Sequence, residues 1–244
     1  MDLFNGHDLD GWYSWLVDTR YEDPRRVFTV QSGLLRISGE GFGYLATCNS
    51  YRDYHLVVEF RWGNSNWQPR TGKARDSGIF LHAVGPDGNS YDGQGAYKAA
   101  IECQIMQGAV GDLLLIKGRW ADGSDVPVRL AAHVAAHPDP EGWPTWQATG
   151  SKRLLQGTGR LNWKDKDPTW QDLWNFRGLR DQESPWQEWT QVECICRGNS
   201  VRVFVNGVWV NEATELFPDS GQILLQCEGS EIFFRRVHLK PLSQ

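Results

Sequence analysis

Apolar and polar residues alternate along much of the chain with the two-residue period of a β-strand. Within Tyr54–Trp62, every second residue from Leu56 onward is apolar, so one face of this strand is predicted to be buried. The pair Asn206-Gly207 tolerates the positive φ of a type I′ hairpin turn and separates Ser200–Val205 from Val208–Val210. The same pattern predicts further strands at Val27–Val30, Leu34–Ser38, Ile79–His82, Ala100–Met106, Val192–Arg197, Gln222–Cys227 and Glu231–Leu239.

These short strands, with Gly-rich turns between them and no sustained helical period, predict an all-β fold of the β-sandwich or jelly-roll type. No linker rich in Pro, Ser or Gly divides the sequence, and no internal repeat is visible. Because sandwiches of about 200–250 residues commonly fold as one unit, the chain is predicted to form a single domain, 1–244.

The alternation weakens over Lys117–Trp189, where Trp residues accumulate. Seven of the 13 Trp fall between positions 143 and 189, at 143, 146, 163, 170, 174, 186 and 189. A long irregular insertion in a compact sandwich usually carries function. We therefore predict a long Trp-rich loop insertion that serves the functional site.

Charge and composition exclude several classes of protein. Lys and Arg total 25 against 30 Asp and Glu, a net charge of −5, and no basic block stands out, so nucleic acid is not an expected partner. The apolar runs, such as Leu113–Ile116, are far shorter than the ~20 residues of a membrane helix, so no membrane partner is expected. A hydrophobic share of 40% excludes intrinsic disorder.

The first residues leave the cellular location open. Met1–Gly6 has neither the basic n-region nor the apolar h-region of a secretory signal. A mature chain whose signal had been removed would begin in the same way. A cytoplasmic location and a periplasmic or secreted one therefore both stay open, and the sequence does not give the oligomeric state.

The Trp-rich region favours a carbohydrate ligand. Indole rings on loops offer flat apolar surfaces to the C–H faces of sugars, and charged neighbours are available for the hydroxyl groups. Trp143, Trp163 and Trp174 are the candidates for substrate binding. The alternative is that individual Trp side chains only pack the insertion against the sheet.

Polar side chains share one face of the predicted strand Ala100–Met106. Glu102 and Gln104 lie on that face, while the residues between them are apolar. The polar face is a candidate site, with simple solvent exposure as the alternative. Asp76–His82 brings polar groups to both ends of another strand, and Asp112 adds a carboxylate after a turn.

Familiar catalytic motifs are absent from the sequence. It contains no GxSxG nucleophile elbow, no HExxH zinc motif and no P-loop. The carboxylate pattern Glu-x-Asp-x-x-Glu of retaining sandwich-fold glucanases is also missing, because Gln104 stands two residues after Glu102. Local spacing therefore gives little support to hydrolysis by two carboxylates.

Short motifs spread over nearly the whole chain resemble the 3-keto-disaccharide hydrolase family. The opening Leu3–Trp12 reads LFNGHDLDGW and is similar to the family's LFNGxDLxGW. The other matching segments follow in family order: Asp76–His82, Ile101–Ile105, Gly111-Asp112, Val205–Gly207, Gly221–Gln226 and Ile232–Arg236. The resemblance implies a concanavalin A-like β-jelly roll, which agrees with the alternation.

The same resemblance implies an enzyme that cleaves the glycosidic bond of sugars whose C3 hydroxyl has been oxidised to a ketone. The ketone acidifies the C2 proton, so a base can remove it and the C1 substituent can leave by β-elimination. Water can then add back, which gives net hydrolysis. Such a site needs a general base, a group that holds the enolate oxygen and a proton donor for the leaving group.

The resemblance also suggests roles for particular residues. Glu102 would be the base or a metal ligand, and His82 the acid or a second metal ligand. Gln104 and Asp76 would orient substrate hydroxyls or a bound cation, with Asp112 a weaker candidate. A divalent metal ion is the one cofactor considered, and its identity stays open.

Two other functions remain as alternatives. One is a non-catalytic carbohydrate-binding domain of the lectin type, because sandwiches with aromatic platforms often only bind. The other is a conventional glycosidase that cleaves unoxidised substrates. Product formation from 3-keto-glycosides separates the leading hypothesis from both.

Overall fold

The computed structural model describes residues 1–91 and 95–243 and contains two antiparallel β-sheets packed face to face. The seven-stranded sheet has the order β1 (Trp12–Leu16), β4 (Phe42–Thr47), β15 (Gln222–Glu228), β6 (Asp76–Val84), β7 (Ala99–Met106), β8 (Leu113–Ile116) and β11 (Gly159–Leu161). The nine-stranded sheet has the order β10 (Ser151–Gln156), β9 (Arg129–Val134), β14 (Val208–Phe217), β13 (Ser200–Val205), β12 (Thr190–Arg197), β5 (Tyr54–Asn66), β16 (Ser230–Pro241), β3 (Leu34–Ile37) and β2 (Phe28–Gln31). The predicted all-β sandwich of the concanavalin-like, jelly-roll type is confirmed. Within the described ranges, no helix is long and apolar enough to cross a membrane.

The apolar core lies between the two sheets. Leu56, Val58 and Phe60 of β5 are fully buried there, as the alternation predicted. Ile79 of β6 and Ile101 of β7 enter the same layer from the other sheet. Full burial of such a side chain stabilises the fold by about 1.5–3 kcal/mol. The core therefore determines which side chains of β6 and β7 point outward.

Every strand that the alternation predicted is present, with its ends moved by a few residues. Asn206 and Gly207 have φ values of 48° and 78°, the positive values of a type I′ turn. The alternation missed β1 and β4, because both faces of these strands are covered. Trp15 and Tyr44 pack on the outer face of the sheet in a second apolar cluster, whereas Leu45 faces the core. A strand buried on both faces shows no alternation.

The Trp-rich insertion is present, but its irregular part is shorter than Lys117–Trp189. β9 and β10 form a hairpin that extends the nine-stranded sheet beside β14, and β11 pairs with β8 in the other sheet. Among the described residues, 162–189 contain no named strand. We call this segment the Trp-rich loop; it holds five of the seven Trp residues counted in the insertion.

Candidate functional site

Strand register brings polar side chains together on the outer face of the seven-stranded sheet, the face turned away from the core. On β7, Glu102 and Gln104 point outward because Ile101 and Cys103 fill the core. Gln104 pairs with Gly78 of the neighbouring strand β6. Glu102 and Gln104 thus lie on the face that the alternation predicted.

These side chains line a cavity of about 410 Å³. Its acidic, amide and basic lining residues include Asp76, Glu102, Gln104, Arg160, Gln226 and Glu228. The apolar part of the cavity lining includes Leu114, Ile116 and Trp143. Convergent polar groups in a partly apolar cavity of this size are typical of a site for a small ligand.

A larger and more open groove of about 620 Å³ lies near Trp12 and Phe28. Its lining, as far as the structure describes it, contains no buried side-chain oxygen or nitrogen without a hydrogen-bond partner. The smaller cavity does contain such atoms, and it is therefore the candidate site.

Glu102 presents a free carboxyl oxygen to this cavity. Only 2% of the residue is exposed, and Oε1 is buried without a hydrogen-bond partner. The carboxyl lies over Gly78, where a Cβ would be 2.1 Å from Oε1. Burial raises the pKa of Glu102 well above its ordinary value, and the carboxyls of Glu228 and Asp76 act in the same direction. A buried carboxylate of raised pKa is suited to accept a proton.

Two further carboxyls hold glutamine amides beside Glu102. Gln104 donates from Nε2 to Asp76 Oδ1 at 3.0 Å, and Gln226 donates from Nε2 to Glu228 Oε2 at 2.6 Å. Burial raises the pKa of both Asp76 and Glu228. These two groups therefore keep their protons to higher pH than exposed carboxyls do.

The two arginines that line the cavity are engaged by protein carboxylates. Arg70 donates from Nη2 to Asp172 Oδ1 at 2.7 Å, and its Nη1 lies 3.7 Å from Asp76 Oδ2. Arg160 donates from Nε to Asp112 Oδ2 at 2.7 Å. Their positive charges balance part of the buried acidic cluster.

The structure does not bring His82 together with Glu102. Strict alternation would turn His82 to the same face as Phe80, but a β-bulge between Leu81 and Val84 shifts the register. His82 has a φ of 57°, and its ring packs edge-on against Tyr54 of the opposite sheet at 5.4 Å. Burial lowers the pKa of His82 to about 4. Because the ring lies in the interior and does not line the cavity with Glu102, its position argues against the predicted role as acid or metal ligand at this site.

Asp112 is fully buried and binds protein groups rather than lining the cavity. Besides Arg160, its carboxylate accepts the backbone N–H of Trp163 at 2.7 Å and lies 3.5 Å from Lys166 Nζ. Since Arg160 lines the cavity, Asp112 holds the cavity wall in place. Its position supports a structural contribution and not the predicted contact with substrate.

The three Trp candidates lie in three different environments. Trp143 is half-buried and lines the cavity. Trp163 is 2% exposed and packs in the core between the sheets. Trp174 stacks on the guanidinium of Arg75, whose Cζ lies 3.8 Å from the ring centre. Only Trp143 of the three is placed to touch a ligand in the cavity.

Arg75 anchors the Trp-rich loop beneath Trp174. The residue is fully buried, and its Nη1 donates to Asn175 Oδ1 at 2.6 Å. Glu183 of the same loop is also buried, and its Oε1 accepts the indole N–H of Trp62 at 2.5 Å. Burial raises the pKa of Glu183 to about 7. The loop is thus attached to the sandwich through a buried acid that favours its protonated form.

Replacing Glu183 by Gln is expected to remove a pH-dependent loss of stability. Below the ordinary pKa of 4.5 the group is protonated in both the folded and unfolded states, so the two proteins should respond alike. As pH rises through 4.5 to about 7, the wild type should lose about 3 kcal/mol of unfolding free energy relative to the variant. Denaturant unfolding at a series of pH values measures this difference; parallel curves for the two proteins would contradict it.

Sequence reasoning missed Gln226 and Glu228 as site residues. The two lie two positions apart on β15, which is the signal for a shared strand face. The sequence does not show which strand lies beside β15, because its partner β6 is more than a hundred residues away in the chain. Local pattern does not reveal such a pairing.

The predicted metal ion stays a prediction. Within the part of the chain that the structure describes, no group of three or more His, Cys, Asp or Glu side chains is arranged to hold a metal ion.

Solved structures share this fold at low sequence identity. A candidate glycosyl hydrolase from Parabacteroides distasonis ATCC 8503 aligns with a TM-score of 0.54 at 15% identity, covering 99% of this chain and 93% of that one. A second structure of that description and source gives a TM-score of 0.52 at 15% identity, with 99% and 98% covered. The Emp46p carbohydrate recognition domain in its metal-free form gives 0.51 at 11% identity, with 100% and 96% covered. Identities this low establish the fold alone.

The comparison with family models identifies the family of the chain, whereas the comparison with solved structures identifies only its fold. No curated protein matches the chain. A family model described as the 3-keto-alpha-glucoside-1,2-lyase-like domain matches residues 1–240, which is nearly the whole sequence. The resemblance read from the short motifs is thereby confirmed, and the chain is a carbohydrate-active, glycosyl hydrolase-like domain. It belongs to the 3-keto-disaccharide hydrolase family, that of the 3-keto-alpha-glucoside-1,2-lyase-like domains.

Proposed function

We propose that this protein cleaves the glycosidic bond of 3-keto-glycosides, with Glu102 as the general base. The observation that carries the proposal is the Glu102 carboxyl, buried over Gly78 with a free oxygen facing a cavity. Family membership supports a carbohydrate substrate. The raised pKa of Glu102 supports proton transfer, because a stronger base removes a carbon-bound proton more readily.

In the proposed reaction, Glu102 takes the proton from C2 and the C–H electron pair forms the enolate of the C3 ketone. When the ketone re-forms, a C1–C2 double bond is made and the C1–O bond breaks with its electrons on oxygen. That oxygen takes up a proton and leaves as the alcohol. Addition of water across C1–C2 then gives the free 3-keto sugar, so the overall change is hydrolysis.

Other groups in the cavity support the remaining requirements. The guanidinium of Arg160 supplies positive charge for the enolate oxygen, since it lines the same cavity. Asp76 and Glu228 line the same cavity, and burial raises the pKa of both, which supports one of them as the proton donor to the departing oxygen. This replaces His82, whose ring lies in the interior.

The first test compares substrates. Incubated with methyl 3-keto-glucoside and with unoxidised methyl glucoside, the protein is expected to release methanol from the keto sugar only. A substrate deuterated at C2 should react more slowly, because the C2–H bond breaks in the proposed first step. A parallel arm with a chelator shows whether a divalent ion takes part.

The lectin alternative makes the opposite prediction. Equilibrium binding of these sugars without product from any of them would favour a carbohydrate-binding domain. Cleavage of the unoxidised glucoside at a similar rate would instead favour a conventional glycosidase. Either outcome would overturn the proposed reaction.

A further inference from the structure

Among the described residues that line the cavity, three buried side-chain oxygen atoms lack a hydrogen-bond donor. They are Oε1 of Glu102, Oε1 of Gln104 and Oε1 of Gln226. The residues are 2%, 4% and 2% exposed, so bulk water does not readily satisfy these atoms. A buried acceptor without a partner costs about 1–3 kcal/mol. Three of them in one cavity point to a ligand that brings donors.

The three residues converge on Gly78. Gln104 pairs with Gly78 from β7, and Gln226 flanks it from β15, because the preceding Leu225 pairs with Ile79. The Glu102 carboxyl lies in the space that a side chain at Gly78 would fill. The acceptors therefore form one group across three adjacent strands.

The orientation of both amides is determined by carboxyl neighbours. Gln104 directs its Nε2 to Asp76 Oδ1 at 3.0 Å, and Gln226 directs its Nε2 to Glu228 Oε2 at 2.6 Å. A carboxyl group accepts from the amide nitrogen, so in each case the amide oxygen is left facing the cavity. Tyr97 donates to the same Glu228 oxygen at 3.0 Å and helps to hold it in place. Two independent carboxyl–amide pairs thus present the same kind of atom.

The basic residues of the cavity do not change its preference for a ligand that brings hydrogen-bond donors. Arg70 donates to Asp172 and to the backbone oxygen of Ala74, and Arg160 donates from Nε to Asp112. The Nη2 of Arg160 makes no hydrogen bond, but it lies 2.6 Å from Asp112 Oδ2 in the same ion pair. The atoms left without partners at Gly78 are acceptors, which suit the hydroxyl groups of a sugar.

We infer that Gln104 and Gln226 are a pair of sugar-hydroxyl acceptors that determine substrate specificity, and that Asp76 and Glu228 position them by holding their amide nitrogens. The inference rests on the proposed function in taking the ligand to be a sugar. Each glutamine receives one hydroxyl hydrogen of the ring whose C2 faces Glu102. Removal of that hydroxyl would leave a buried acceptor unpaired, and the site would reject the analogue.

The test combines glutamine substitutions in the protein with removal of single hydroxyl groups from the sugar, and it measures the affinity of every combination. Binding of methyl 3-keto-glucoside and its 2-, 4- and 6-deoxy analogues is measured by calorimetry in the Glu102→Gln background, where the sugar is expected to be consumed far more slowly. Binding of methyl glucoside and its deoxy analogues is measured in the wild type. Gln104→Leu and Gln226→Leu are each introduced into both. Gln222→Leu on β15 is the control, because Gln222 Oε1 already accepts from Lys98 Nζ at 2.6 Å.

Each glutamine variant is expected to bind the parent sugar roughly 10- to 100-fold more weakly. For each variant, one particular deoxy analogue should bind as well as it does to the unsubstituted protein, because the matching hydroxyl is already missing. Gln222→Leu should leave the ranking of the analogues unchanged.

A uniform loss for the parent and all analogues, or no loss, in either variant would overturn the inference; a bound cation at these oxygens would give such a uniform result. Failure of every sugar in both series to bind would overturn it together with the assignment of a sugar ligand. Analogue-specific losses of affinity without cleavage of any 3-keto sugar would overturn the proposed reaction but support the two glutamines as hydroxyl acceptors.

Discussion

Replacement of Glu102 by Gln is expected to lower kcat for methyl 3-keto-glucoside by roughly 100- to 10,000-fold, the usual contribution of a positioned general base. The amide has nearly the same size as the carboxyl but cannot take the C2 proton. The variant should still bind the sugar, so KM is expected to change little. Steady-state kinetics measure both constants, and thermal unfolding checks the fold, which should be retained because the substitution removes a buried ionisable group.

Glu231→Gln is the matched control for this variant. Glu231 is a buried glutamate, 8% exposed, whose carboxylate accepts a hydrogen bond from Arg36 in the nine-stranded sheet. Turnover should stay near the wild-type rate in this control. Normal turnover by Glu102→Gln would rule out Glu102 as the base, and equal losses in both variants would show that the effect is not specific to the cavity.

The pH profile reports on the same carboxyl. The base must be ionised, so kcat/KM should fall as pH drops through the pKa of Glu102, which burial raises above its ordinary value of 4.5. The acid side of the wild-type profile is therefore expected above that value. Residual activity of Glu102→Gln should lack this dependence.

The face of β7 could be predicted from the sequence because its cause is local. Apolar Ile101 and Cys103 alternate with Glu102 and Gln104, and the core accepts only the apolar set. The same reasoning located β5 and the hairpin at Asn206. It failed for β1 and β4, where apolar residues cover both faces.

The site as a whole could not be predicted, because it depends on one bulge and one distant pairing. A β-bulge at His82 turns the imidazole ring into the interior, and no residue propensity in the sequence predicts this bulge. The residues of β15 that line the cavity with Glu102 come from the other end of the chain, and sheet order is set by packing of the complete sandwich. The count of Trp residues was also a weak guide, since Trp163 packs in the core and Trp174 covers Arg75.

Gly78→Ala is expected to lower turnover about as strongly as a misplaced catalytic group does, by roughly 100-fold. The added Cβ would stand 2.1 Å from Glu102 Oε1 and 2.8 Å from its Cδ, so the carboxyl has to move. The backbone itself does not require glycine, because Gly78 is not among the glycines with positive φ. The nearest atoms belong to the far end of a flexible side chain, so the fold should be retained while the base leaves its position. Kinetics with methyl 3-keto-glucoside and thermal unfolding separate the two effects.

Gly63→Ala in β5 repeats the same steric change away from the cavity. A Cβ at Gly63 would stand 2.4 Å from both Cγ and Oε2 of Glu231, again a glutamate side chain, and Gly63 also lacks a positive φ. Because Glu231 belongs to the other sheet, Gly63→Ala should cost a similar amount of stability and leave turnover unchanged. If Gly78→Ala also kept full turnover, the position of the Glu102 carboxyl over Gly78 would be irrelevant to the reaction. A loss of turnover confined to Gly78→Ala would show that glycine is needed at position 78 to make room for the base. Neither the backbone φ at this position nor strand propensity gives a reason for glycine there.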